Sequence, residues 1–138
     1  MVNTSTTLDL KLIGSILIWF LVTIVLMVGA AYLWVFIYSL VINSGGDQAY
    51  YEAYAQRASP VVAVITAFPV FFLMGKYMRR FEAGAFVAVA GVVILHILME
   101  AIVLSTLNDT FAYVLGFSVA AMCLKIAGGY FGMRREAA

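Results

Sequence analysis

The sequence predicts an all-α integral membrane protein: four transmembrane helices in an antiparallel bundle, with a short interfacial helix between the first and the second. Three observations predict it. The 138-residue chain is 65% hydrophobic and only 11% charged, its charges cluster between long apolar runs, and each run ends in turn or interface residues. One domain over residues 1–138 is the natural unit. A net charge of +1 without a basic tail gives nucleic-acid binding no electrostatic support. A single cysteine, Cys123, excludes an internal disulfide and a cysteine-based metal site.

Met1 to Leu10 is short and polar and lacks the basic region of a secretory signal, so the first apolar segment is expected to stay as an anchor. Thr6 or Thr7 is placed to cap the helix that follows. The run from Leu12 to Ile42 exceeds the roughly 20 residues a bilayer requires, so the first helix tilts or protrudes. Trp19 marks one interface, and Tyr32, Trp34 and Tyr38 mark the other. At about 100° per residue, Ser15, Trp19, Thr23, Gly29 and Ala30 share a face, read as the packed side.

Gly45-Gly46-Asp47 breaks this helix and is placed to cap a short second one, in which Tyr50, Tyr51 and Tyr54 recur at helical spacing. That segment reads as an aromatic helix in the headgroup region; a lid over an outward-facing vestibule is the alternative. Ser59-Pro60 reads as the start of the second membrane helix, serine as N-cap and proline at the first position. Pro69 within it removes the hydrogen bond to the Ile65 carbonyl and marks a kink or hinge. Gly75 to Phe81 is expected to be a tight basic connection carrying Lys76, Arg79 and Arg80.

The third helix is expected from about Glu82 to Leu107, the turn at Asn108-Asp109, and the fourth helix to about Met133. Lys11, Lys76, Arg79, Arg80, Arg134 and Arg135 then fall on one side and Arg57 on the other, which makes both termini cytoplasmic by the positive-inside rule. Met78-Arg79-Arg80 and Met133-Arg134-Arg135 end the two halves alike, a weak sign of a duplicated two-helix unit.

Three ionisable side chains, His96, Glu100 and Lys125, lie inside these last two apolar segments. A charge near the bilayer centre costs about 2.5–3.5 kcal/mol even on the lenient insertion scale, so each needs a partner or a function. The fourth helix puts Ser118, Ala121, Lys125, Gly128, Gly129 and Gly132 on one face, which turns Lys125 into protein and makes Gly128 and Gly132 a GxxxG pair for close helix contact. On the third helix Gly84, Ala88 and Gly91 form a second packing stripe, while His96 and Glu100 share a different face. Two inward faces on one helix suggest contacts beyond its hairpin partner, in another subunit.

Counting along antiparallel helices leaves an axial gap of roughly 13 Å between Glu100 and Lys125, although the two side chains lean toward each other. The sequence therefore favours a polar relay, Lys125 to His96 to Glu100, over a direct ion pair. The bland alternative is that each group snorkels or satisfies itself separately.

No nucleophile and base pair, phosphate loop or zinc motif is present, so an enzyme is the less favoured class, and no metal site is expected. No cofactor is expected either, with haem ligated by His96 the one exception the residue types permit. The function expected is that of a protomer in an oligomeric transporter or channel for a proton, ion or small solute. The alternative is a non-catalytic subunit, haem-bearing in one variant, of a larger membrane complex. Its partners are accordingly the lipid bilayer and either copies of itself or other membrane subunits.

Overall fold

The computed structural model describes residues 4–106 and 111–134. Among them four long helices account for nearly everything: α1 (Thr4–Ile37), α2 (Gln48–Met78), α3 (Ala85–Ser105) and α4 (Phe111–Met133). Three helical stretches, Leu10–Ile42, Gln48–Ser105 and Tyr113–Met133, are long and apolar enough to cross a membrane. The second stretch folds back on itself at a 3₁₀ link, Arg79–Gly84. Glu82 there has φ 48° and ψ −110°, a conformation rare outside glycine, and it breaks the helix where no proline does. The expected turn at Asn108-Asp109 lies outside the described residues, as does Arg135.

α1 starts at Thr4, before the caps expected at Thr6 or Thr7, and ends in a π-helical turn, Tyr38–Ile42, closed by the Asn43 amide on the Tyr38 carbonyl at 2.9 Å. Asp47 caps α2, its Oδ1 accepting from the Tyr50 amide at 2.8 Å, as the sequence indicated. No separate interfacial helix follows. α2 runs unbroken through Ser59 and Pro60, so the tyrosine-rich segment forms its first three turns. Ser59 is not an N-cap: its hydroxyl donates back to the Ala55 carbonyl at 2.6 Å. A proline in mid-helix is tolerated in membrane-type helices when serine or threonine occupies nearby carbonyls. At Pro69, Thr66 likewise bonds the Val62 carbonyl, at 2.7 Å, and not that of Ile65.

Helix neighbours are set by small residues. The most extensive contact is between α2 and α4, which run parallel: Gly128 lies on Phe68, and Gly132 lies on Phe72 and Lys76. A Cβ at Gly128 would stand 2.5 Å from the Phe68 carbonyl oxygen, and one at Gly132 would stand 2.9 Å from the Lys76 nitrogen. The GxxxG pair therefore docks α4 on α2, not on its hairpin partner α3. Gly75, expected in a loop, is a buried residue of α2, where a Cβ would strike the Gly129 carbonyl. Where apolar surface faces lipid in any case, such backbone approach replaces hydrophobic burial as the source of helix affinity.

α1 and α3 also run parallel. Gly84 and Gly91 of the expected stripe meet Leu12 and Ile16, and Ala88 is fully buried between them. The other face of α3 is met by α1 and α4 of the same chain. Of the face assigned to α1, Ser15 and Thr23 are buried and Trp19 is half-buried, but Gly29 is exposed with nothing within 4 Å. The close-packed core consists of Phe71, Met74 and Met78 of α2 with Ala88, Val89, Val92 and Val93 of α3. It fills the half of the bundle nearer the basic link.

Candidate functional site

In the other half the helices part. A network of aromatic hydroxyls and rings holds α1 to the start of α2. Tyr38 stacks on Tyr54 with ring centroids 3.7 Å apart, and the Tyr38 and Tyr50 hydroxyls meet at 2.9 Å. Trp34 Nε1 donates to the Tyr54 hydroxyl at 2.9 Å. Tyr51 binds the loop itself, donating to the Asn43 carbonyl and accepting from the Gly46 amide. Tyrosine and tryptophan suit this position because one end of each is apolar and the other needs a polar partner.

Between this clasp and the core lies a cavity of about 840 Å³, within the range of small-molecule sites. Its walls are mainly apolar, with Met27, Ala31 and Val35 from α1, Ala55 and Ala63 from α2, and Met99 from α3. Gln48, Glu52 and Gln56 line it toward the clasp; His96, Glu100 and Lys125 line the opposite end, its floor. The segment considered as a lid is thus one wall of a vestibule. All three ionisable residues picked from the sequence converge on one space.

They do not form the expected relay. Lys125 Nζ pairs directly with Glu100 Oε1. The contact of Gly129 with Val89 sets the register of α4 on α3 so that Glu100 stands level with Ser118, leaving roughly 10 Å of axial offset to Lys125 at 1.5 Å per residue. Glutamate leaning one way along its helix and lysine the other close that offset. Lys125 is 1% exposed, whereas Glu100 keeps 21% of its side chain accessible. The amine is sealed in protein, and the carboxylate faces both the amine and the cavity.

His96 bonds elsewhere. Its Nε2 lies 2.8 Å from Thr23 Oγ1 on α1. Thr23 is itself within 2.8 Å of the Trp19 carbonyl and 2.9 Å of the Phe20 carbonyl. The hydroxyl has one proton and its helix carbonyls can only accept, so Thr23 accepts from His96, and Nδ1 is left as the bare lone pair. That Nδ1 is buried and has no hydrogen-bond partner among the described residues. Phe20 and Phe71 hold the ring edge to face, with centroids 5.2 and 5.1 Å away.

Sequence reasoning missed Thr23 as a partner, placing it only on a packing face. It also missed Phe71, which lies under both His96 and the Lys125 amine. The signal for Thr23 was present: a buried threonine on the helix facing a lone histidine. Pro69 is exposed on α2 and does not line the cavity. No family model, curated protein or solved structure matches this chain. The functional reading therefore rests on the cavity and its charges.

Proposed function

We propose that the chain crosses the membrane four times, α2 and α3 as separate spans, and that it carries a proton, ion or small solute through its own cavity. On this reading both termini lie in the cytoplasm. In support, Lys76, Arg79, Arg80 and Arg134 share one end of the bundle with Lys11, whose neighbour Leu12 packs on Gly84, while Arg57 lies near Tyr113 at the other end. The observation that carries the reading is the Glu100–Lys125 pair at the floor of the cavity, one partner accessible and the other sealed.

That asymmetry supplies a coupling. Protonating Glu100, or binding a cation to it, removes the counter-charge of an ammonium that has no other acceptor among the described residues. A buried ion left unpaired is strongly destabilising, so neutralising Glu100 drives Lys125 or its helix to move, and release of the cargo restores the pair. All the residues that line the cavity come from one chain. In liposomes loaded with a pH-sensitive dye, the wild type collapses an imposed proton gradient and Glu100→Gln does not, while the variant stays monodisperse because glutamine still accepts from Lys125. Equal flux in the two proteins, or a wild type no leakier than empty liposomes, rejects the reading.

A second reading, a non-catalytic subunit of a larger membrane complex, is favoured by Gly14, Gly29 and Gly116. At each of these a Cβ would meet nothing within 4 Å, as on a face kept narrow for a partner helix. Co-purification with fixed partners from native membranes supports it, and isolation as a self-contained protein counts against it.

A further inference from the structure

The groups at the cavity floor are unequal in what they offer. Lys125 supplies donors, but its amine is 1% exposed and engaged by Glu100 Oε1. The atoms left over are acceptors. Glu100 Oε2 has no protein donor among the described residues, and Glu100 is the more accessible partner of the pair. His96 lines the same cavity, but its Nδ1 is closed off, which leaves Glu100 as the acceptor a ligand can reach. An acceptor held in a low-dielectric pocket without a donor is costly, and a matched donor relieves it. The walls are mostly hydrocarbon, and Glu52 adds a second carboxylate toward the far end, where it is held by Gln48 Nε2 at 2.8 Å.

We propose that the cavity binds a small apolar molecule carrying a protonated primary or secondary amine, its N–H groups on the accessible Glu100 carboxylate and its apolar body along Met27, Ala31, Ala63 and Met99. The lining carries two carboxylates and one ammonium, a net charge of −1 that favours a cation over an anion. The demand for a donor sets apart an amine that retains N–H from a quaternary ammonium of the same charge. The volume admits a drug-sized body and not merely a bare ion. This rests on the transport reading of the same site, for which it names the substrate class.

The test is calorimetric titration of the purified full-length chain in detergent with three probes on one skeleton: 4-phenylbutylamine, its N-trimethylated form and 4-phenylbutanoate. The amine is expected to bind saturably at one site, the trimethylated form about tenfold or more weakly for want of charge-assisted hydrogen bonds, and the acid not at all. Ala63→Phe, which puts a ring into the cavity, is expected to abolish amine binding. Leu21→Phe on the exposed face of α1 leaves it unchanged. Equal affinity for amine and trimethylated form, preference for the acid, or amine binding that survives Ala63→Phe overturns the proposal. Proton flux without amine binding sinks this inference alone. Amine binding without flux sinks the transport reading and keeps the site.

Discussion

The two halves of the bundle are built from the same residue types and pack in opposite ways. Toward the basic link, Gly75, Gly128, Gly129 and Gly132 bring α2, α3 and α4 together until backbone meets backbone or a valine methyl. Toward the tyrosine clasp, α1 carries Gly29 and Ala30, yet a Cβ added at Gly29 meets nothing, and the helices part round the cavity. A small residue brings helices together only where another backbone lies opposite it; elsewhere it leaves room. The ion pair sits at the boundary between these halves, and that is why one partner is sealed and the other accessible.

Breaking the boundary is expected to have the largest effect. Glu100→Leu leaves the Lys125 ammonium buried without its partner and is expected to cost about 3–5 kcal/mol. Lys125→Met costs less, because Glu100 can reach into the cavity or take up a proton. The double variant Glu100→Leu with Lys125→Met should regain most of the loss, since two apolar groups need no pairing. Unfolding in detergent by denaturant checks all three. Additive losses in the double variant would show that the pair is not coupled.

The closed half comes next. Gly132→Ala places a methyl against the Phe72 carbonyl and the Lys76 nitrogen. Backbone on the far side cannot rotate away, so α4 must lift off α2, at a cost of about 2–3 kcal/mol by the usual scale of overpacking. A smaller effect is expected at the hydrogen bond that ties α1 into the site. Thr23→Val keeps the shape but leaves His96 Nε2 without its acceptor, a loss of about 1–2 kcal/mol. Thr23→Ser should restore it. Both are read in the same denaturation experiment.

How much of this was legible follows from what periodicity encodes. The face of α4 that turns inward was readable because glycine, alanine and lysine recur at helical spacing, and Ala121, Lys125, Gly128, Gly129 and Gly132 are all buried. Which helix that face meets was not readable, since a glycine stripe fits any backbone and chain order favours the hairpin partner. The relay failed for a related reason: an axial count fixes where Cα atoms stand, while an extended glutamate and lysine leaning toward each other bridge what the count leaves open. Ser59-Pro60 misled because the same dipeptide can start a helix or pass inside one, and here the Ser59 hydroxyl bonds back to the Ala55 carbonyl within a continuous α2. The cavity had no local signature at all. It is an absence of contact among residues far apart in the chain.

The smallest expected effect is the sharpest test of the contrast, because it reverses sign. Gly29→Ala adds the same methyl as Gly132→Ala, but into open space on a helical backbone. Nothing is displaced, and alanine exceeds glycine in helix propensity by about 1 kcal/mol, so the purified chain should be stabilised by somewhat less than that. One substitution in two halves of one molecule is thus expected to lower stability at residue 132 and raise it at residue 29. Made in the native membrane, the same variant also bears on the partner question. Were α1 to dock another helix at Gly29, the methyl would hold that helix off, and the gain seen in detergent would turn into a loss of assembly. A gain in both settings assigns the face of α1 around Gly29, which does not line the cavity, to lipid.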